Sequence, residues 1–180
     1  PNTGSDRPER STRRLAGLIS AVFCPPALAA CTAVLLTLWP ADPAPEFDWI
    51  VLVVFLVFCV ALPVGYVLRL HRAGRIPGLF VAEGQDRVRP LFVASACCFL
   101  GAILRMTVSQ PGPLCIVLIW HGVFGLRASA VACRHRMSLH AAGAWGAAVN
   151  VGYYCGHVGW VLLPVAVSVV WARRTREAHT

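Results

Sequence analysis

Residues 49–68 form an apolar run that begins at Trp49 and contains no charged side chain. A helix needs roughly 20 consecutive apolar residues to cross the hydrocarbon core of a bilayer. Because lipid offers the backbone no hydrogen-bond partners, an isolated apolar run of this length is expected to be an α-helix. The run therefore predicts a transmembrane helix.

The composition of the chain agrees with this prediction. Of its 180 residues, 57% are hydrophobic and 13% are charged, and the mean hydropathy is +0.66. A soluble domain of this size cannot bury so much apolar surface in one core. We therefore expect an all-α integral membrane protein whose main partner is the lipid bilayer.

The formal charge of +8 is the balance of sixteen basic residues, all of them arginine, and eight acidic ones. These arginines lie between apolar runs and do not form a basic face on a polar domain, so nucleic acid is not an expected partner. The eight cysteines mostly fall inside apolar runs and lack a paired metal-ligand spacing. We expect most of them to be small buried residues.

Further apolar runs occupy residues 15–39, 91–109, 114–133 and 139–171. Pro25-Pro26 should kink the first, and the next two should form a helical hairpin around Pro111-Gly112-Pro113. The last run suits two short spans with a turn at residues 155–159. The prediction is a bundle of about six transmembrane helices in a single domain, residues 15–180, after a flexible basic tail, residues 1–14.

Six crossings would put the tail, the 69–90 loop, the 134–140 stretch and the C-terminal segment on one face, with fourteen of the sixteen arginines. The positive-inside rule makes this face cytoplasmic. The other two arginines lie within predicted spans. Arg105 is close enough to a turn to snorkel outward. Arg127 lies deeper, and either faces a polar site or snorkels.

Polar residues concentrate in the stretch Arg134-His135-Arg136-Met137-Ser138-Leu139-His140, between two apolar runs. Arginines and a hydroxyl can hold an anion, and a histidine can protonate it near neutral pH. The stretch therefore predicts a phosphate-handling site at the membrane boundary.

Three stretches, taken in order, resemble the motifs of the type-2 phosphatidic acid phosphatase superfamily of membrane lipid phosphatases. Arg89-Pro90 matches the end of the first motif, and Met137-Ser138-Leu139-His140 is similar to the second as it occurs in small bacterial members. Ala172-Arg173, five residues and His179 reproduce the spacing of the third. The resemblance covers about residues 69–180.

The sequence also departs from the family pattern. Ala82 stands where the first motif has a basic residue, for which Arg87 is the candidate substitute. The second motif lacks its proline and glycine. The aspartate of the third motif would follow Thr180.

The resemblance implies a phosphatase that acts on a lipid or isoprenoid phosphate or diphosphate, in a bacterial cell membrane, with its site and both termini on the cytoplasmic side. His179 would attack phosphorus to form a phosphohistidine, and His140 would act as acid and base. The phosphate would be held by Arg87, Arg89, Arg136, Ser138 and Arg173, with Arg127 as a further candidate. No metal or other cofactor is implied.

Two alternatives remain open. One is a diverged enzyme of the same fold that ionises or cyclises a prenyl diphosphate, as a terpene synthase does. The other is a non-catalytic lipid-binding membrane protein. In that case the arginines would be topology anchors and headgroup contacts, and Ser138 would simply cap the helix that begins near Leu139.

Overall fold

The computed structural model describes residues 6–38, 49–76, 88–108, 112–132 and 138–177. Helices and their connections make up these ranges, and no strand occurs in them. The predicted all-α fold is confirmed.

Helices α1 (Asp6–Val22) and α2 (Pro25–Leu38) are separated by a bend of 48°. Pro25 and Pro26 lack the N–H that would continue α1, whereas the first turn of a new helix tolerates them. The predicted kink is confirmed. Because α1 begins at Asp6, residues 6–14 of the segment predicted as a tail are helical.

The span Trp49–Arg72 consists of α3 (Trp49–Phe55), a π-helical segment (Leu56–Ala61) and α4 (Leu62–Arg72). The N–H of Leu62 donates to the carbonyl of Val57, five residues earlier, as in a π-helix. Pro63 accounts for the wider turn, since it has no N–H for the carbonyl of Cys59 and its ring would clash with that carbonyl in a regular α-helix.

Helices α5 (Val88–Val108) and α6 (Pro113–Ala132) pack along each other as the predicted hairpin, which is confirmed. Glycines allow the close approach: Gly122 faces the ring of Phe99, and Gly125 faces the hydroxyl of Ser95. Small residues at such positions let the backbones of membrane helices come together.

Helix α7 (Leu139–Cys155) ends at Gly156, whose φ of +61° suits a residue without a Cβ. A 3₁₀-helical turn (Gly156–Val161) leads into α8 (Leu162–Glu177), and α8 packs back against α7. The turn predicted at residues 155–159 is confirmed.

The chain divides into two compact units. The first unit comprises Pro1–Thr32 and Ser138–Thr180, and the second Ala33–Met137. The first has α1 and α7 packed on α8, around a core of Leu28, Ala144, Ala147, Ala166 and Val169. In the second, the span Trp49–Arg72 packs on the hairpin of α5 and α6.

Three helical spans of the described residues are long and apolar enough to cross a membrane: Trp49–Arg72, Val88–Val108 and Pro113–Ala132. The bent pair of α1 and α2 makes a fourth if it counts as one span. Helices α7 and α8 are shorter, with 17 and 16 residues. The structure therefore supports three or four spans, and the predicted six are not confirmed.

Replacing Gly101 tests the packing of α5 on the span Trp49–Arg72. A Cβ at Gly101 would lie 2.7 Å from Cβ of Phe58, an atom that moves only with its backbone. We expect Gly101→Ala to lower the free energy of unfolding by about 1–3 kcal/mol. Thermal unfolding in detergent micelles measures the change. Gly65→Ala is the control, because a Cβ there meets nothing within 4 Å. Equal melting temperatures for the two variants would contradict the observed packing.

Candidate functional site

Ser138 is the N-cap of α7, as the sequence predicts. Its backbone is extended, with φ −83° and ψ 104°, and its Oγ accepts a hydrogen bond from the N–H of Ala141 at 3.4 Å. The carbonyl of Ser138 also accepts from the N–H of Ala142 at 3.1 Å. The cap uses a lone pair of Oγ, so the hydroxyl can still donate its hydrogen to an anion.

His140 is the second residue of α7 and is half-buried. Near the start of α7, Gly143 lies close to Pro25, since a Cβ at Gly143 would be 3.6 Å from the Cβ of Pro25. The positive end of the helix dipole lies at this turn and favours negative charge. His140 therefore lies in a helical turn whose electrostatics suit an anion.

Arg173 lies in the second half of α8, beside Ala172 and one turn after Val169, both of which are fully buried. The side chain of Arg173 is half-buried and its Nε atom is buried, whereas the neighbouring Arg174 is exposed. The two arginines thus occupy different surroundings. Arg173 is the one held against the packed face of its helix.

The hairpin of α7 and α8 brings Ser138, His140 and Arg173 to the same end. The two helices are joined by the short 3₁₀-helical turn and pack side by side, so they run in opposite directions. The start of α7 and the end of α8 therefore both lie away from Gly156. A hydroxyl, an imidazole and a guanidinium are groups that can bind and protonate a phosphate group, and all three lie towards this end of the hairpin.

Arg89 belongs to the second unit, in the first turn of α5, and it is exposed. Pro90 follows it where a helix tolerates a missing N–H. The remaining predicted site residues, Arg87, Arg136 and His179, lie outside the residues that the structure describes. The nucleophile and two of the predicted phosphate ligands therefore stay predictions.

Arg127 lies on an exposed face of α6, on the helix that also exposes Trp120 and Phe124. Of the two alternatives for Arg127, this position favours the outward-facing one.

The prediction that Arg105 snorkels outward is wrong, since its side chain is only 8% exposed. Cys98, Gly101, Ala102 and Arg105 form one buried stripe of α5. Their spacing of three and four residues places them on one helix face, and this spacing could have revealed the burial of Arg105 from the sequence.

Among the described residues, no group of three or more histidine, cysteine, aspartate or glutamate side chains is placed to hold a metal ion. Comparison with known proteins finds no matching family model, no matching curated protein and no matching solved structure.

Removing the Ser138 hydroxyl tests the cap. We expect Ser138→Ala to lower the free energy of unfolding by about 0.5–2 kcal/mol, because the N–H of Ala141 loses its acceptor, and Ser138→Asn to restore most of it. Chemical denaturation in micelles provides the measurement.

Ser168→Ala is a matched control in α8, since that exposed hydroxyl only donates to the carbonyl of Pro164 within its own helix. A loss in the control as large as in Ser138→Ala would argue against the cap.

Proposed function

We propose that this protein is a membrane-embedded phosphatase that hydrolyses a lipid or isoprenoid phosphate or diphosphate through a phosphohistidine intermediate, at the cytoplasmic face. The observation that supports the proposal is the antiparallel packing of α7 and α8, which places Ser138, His140 and Arg173 towards the same end of the hairpin. Two of the three stretches that resemble the phosphatase motifs contribute residues to this end.

Each group would have a separate task. The guanidinium of Arg173 and the hydroxyl of Ser138 would donate to the non-bridging phosphate oxygens, where negative charge must be stabilised in the transition state. His179 would attack the terminal phosphorus, forming a P–N bond as the P–O bond to the leaving group breaks. The leaving group is the lipid alcohol of a monophosphate or the lipid monophosphate of a diphosphate. His140 would give its proton to that leaving oxygen.

In the second step His140, now neutral, would accept a proton from water as the water attacks the phosphohistidine. Inorganic phosphate would leave, and His179 would return to its starting state. A histidine suits both steps because its unperturbed pKa of about 6.5 lies near working pH.

The apolar surroundings support a substrate with a lipid tail. The helices that carry these residues continue into uncharged segments, from Leu139 to Cys155 in α7 and from Leu162 to Trp171 in α8. A phosphate bound at the polar end of such a hairpin would leave its hydrocarbon chain beside apolar side chains. This arrangement favours amphiphilic phosphates over soluble ones.

Replacing His140 tests the proposed acid and base. We expect His140→Ala to slow release of inorganic phosphate from phosphatidic acid or a prenyl diphosphate in micelles by about 10²- to 10⁴-fold. His157→Ala is the matched control, because that exposed histidine lies at the opposite end of the same hairpin. Unchanged phosphate release by a correctly folded His140→Ala protein would refute the mechanism.

The same assay separates the two rival functions. A prenyl diphosphate converted to a hydrocarbon or alcohol with release of intact diphosphate would favour an ionising or cyclising enzyme. Binding of lipid phosphates without turnover would favour a non-catalytic lipid-binding membrane protein.

Adjacent arginines give a second test. We expect Arg173→Ala to lower kcat/KM by about 10- to 100-fold, since it removes charge-assisted hydrogen bonds to the phosphate. Arg174→Ala, one residue away and exposed, should change kcat/KM by less than about twofold. Equal losses in the two variants would mean that Arg173 acts only as a general positive charge near the membrane surface.

A further inference from the structure

One arginine of the second unit lies on the outer face of a candidate membrane span. Arg127 belongs to α6, more than one turn before that helix ends at Ala132, and its side chain is exposed. Within the described ranges of the chain, no hydrogen bond or ion pair involves Arg127. A charge at such a depth in a bilayer is costly, and charged residues there normally pair with an opposite charge. Arg127 therefore calls for a partner that the described residues do not supply.

A lipid phosphate is one candidate partner, because a long arginine side chain can extend to the membrane surface. The nearer surface lies beyond Ala132, at the C-terminal end of α6. The Cα–Cβ bonds of a helix point towards its N-terminus, so the side chain of Arg127 leaves the backbone in the opposite direction, towards the middle of the span. This direction favours a partner inside the hydrocarbon layer over a phosphate at its surface.

A second copy of the chain is a poor partner for Arg127. None of the candidate spans contains an aspartate or a glutamate. Two copies that faced each other through α6 would bring two arginines together, and like charges repel. A carboxylate at the depth of Arg127 must therefore come from a different protein.

The face of α6 around Arg127 suits another helix. Its residues are spaced alternately by four and three, as in the seams of membrane helices that cross at a shallow angle. The opposite face is already occupied, because Gly122 and Gly125 face side chains of α5. The seam residues of the outer face are all exposed or half-buried: Ile116, Trp120, Val123, Arg127 and Ala130.

We propose that the outer face of α6 binds a transmembrane helix of a different membrane protein, and that this helix carries an aspartate or glutamate at the depth of Arg127. The guanidinium would donate two charge-assisted hydrogen bonds to the carboxylate. Trp120 and Ile116 would pack against apolar residues of the same partner helix. The proposal is independent of the proposed hydrolysis, whose described residues on α7 and α8 take no part in it.

Synthetic transmembrane peptides test the proposal on the full chain in phosphatidylcholine vesicles. The first peptide is a polyleucine helix with one glutamate at the depth of Arg127, the second has glutamine at that position, and the third has the glutamate near its other end. Energy transfer from labelled protein to labelled peptide measures binding. We expect the first peptide to bind at least about tenfold more tightly than the other two, because only its carboxylate can pair with the guanidinium.

Variants of the protein identify the residue that recognises the carboxylate. Arg127→Leu should lose the preference for the first peptide. Arg127→Glu should instead prefer a polyleucine peptide with one arginine at the same depth, and this reversed pairing would show that the variant is folded. Arg174→Leu is the matched control, since that arginine is also exposed but lies outside the candidate spans, and it should keep the preference.

Three results would overturn the proposal. One is equal binding of the glutamate and glutamine peptides to the unchanged protein. Another is a preference for glutamate that persists in Arg127→Leu. The third is loss of the preference when phosphatidylglycerol is added to the vesicles, which would mean that a lipid phosphate holds Arg127.

Discussion

The backbone of an apolar segment must satisfy its own hydrogen bonds, and this requirement governs the fold of the chain. Each long apolar run of the described residues is helical for this reason. Where the sequence removes a donor, the helix adjusts: Pro25 and Pro26 start a new helix after a bend, and Pro63 is accommodated by a π-helical turn. Prolines thus set the bends and the wide turn of this protein.

Close contact between helices is the second constraint, and glycine provides it. Gly101 against Phe58, Gly122 against Phe99 and Gly125 against Ser95 bring three helices of the second unit together. The hydrophobic effect contributes little to helix association in lipid. Van der Waals packing at small residues therefore has to stabilise the association.

The arginines show that residues of one type occupy different environments at different positions. Arg105 is buried on the packed stripe of α5, Arg127 is exposed on α6, and Arg173 is half-buried near the end of α8 while Arg174 is exposed. A sequence pattern that counts arginines between apolar runs treats them alike. Their differences arise from helix phase, which sets whether each side chain meets a neighbour or the surroundings.

Much of the fold was predictable from local signals. The apolar runs predicted the helices, and the prolines predicted the kink. The stretch around Gly156 predicted the turn between α7 and α8, and Ser138 was a candidate cap of α7. Of the predicted site residues, Ser138, His140 and Arg173 lie towards the same end of the hairpin because a short turn makes α7 and α8 antiparallel. Arg89 belongs to the other compact unit, and local patterns do not reveal how the chain divides into units.

The sequence by itself determined that this is a helical chain suited to a membrane, because apolar length and proline chemistry act within single segments. Only the tertiary structure decided that Arg105 is buried and that the chain divides into two units. These outcomes depend on how helix faces are rotated against each other. That rotation is fixed by packing between residues far apart in the chain.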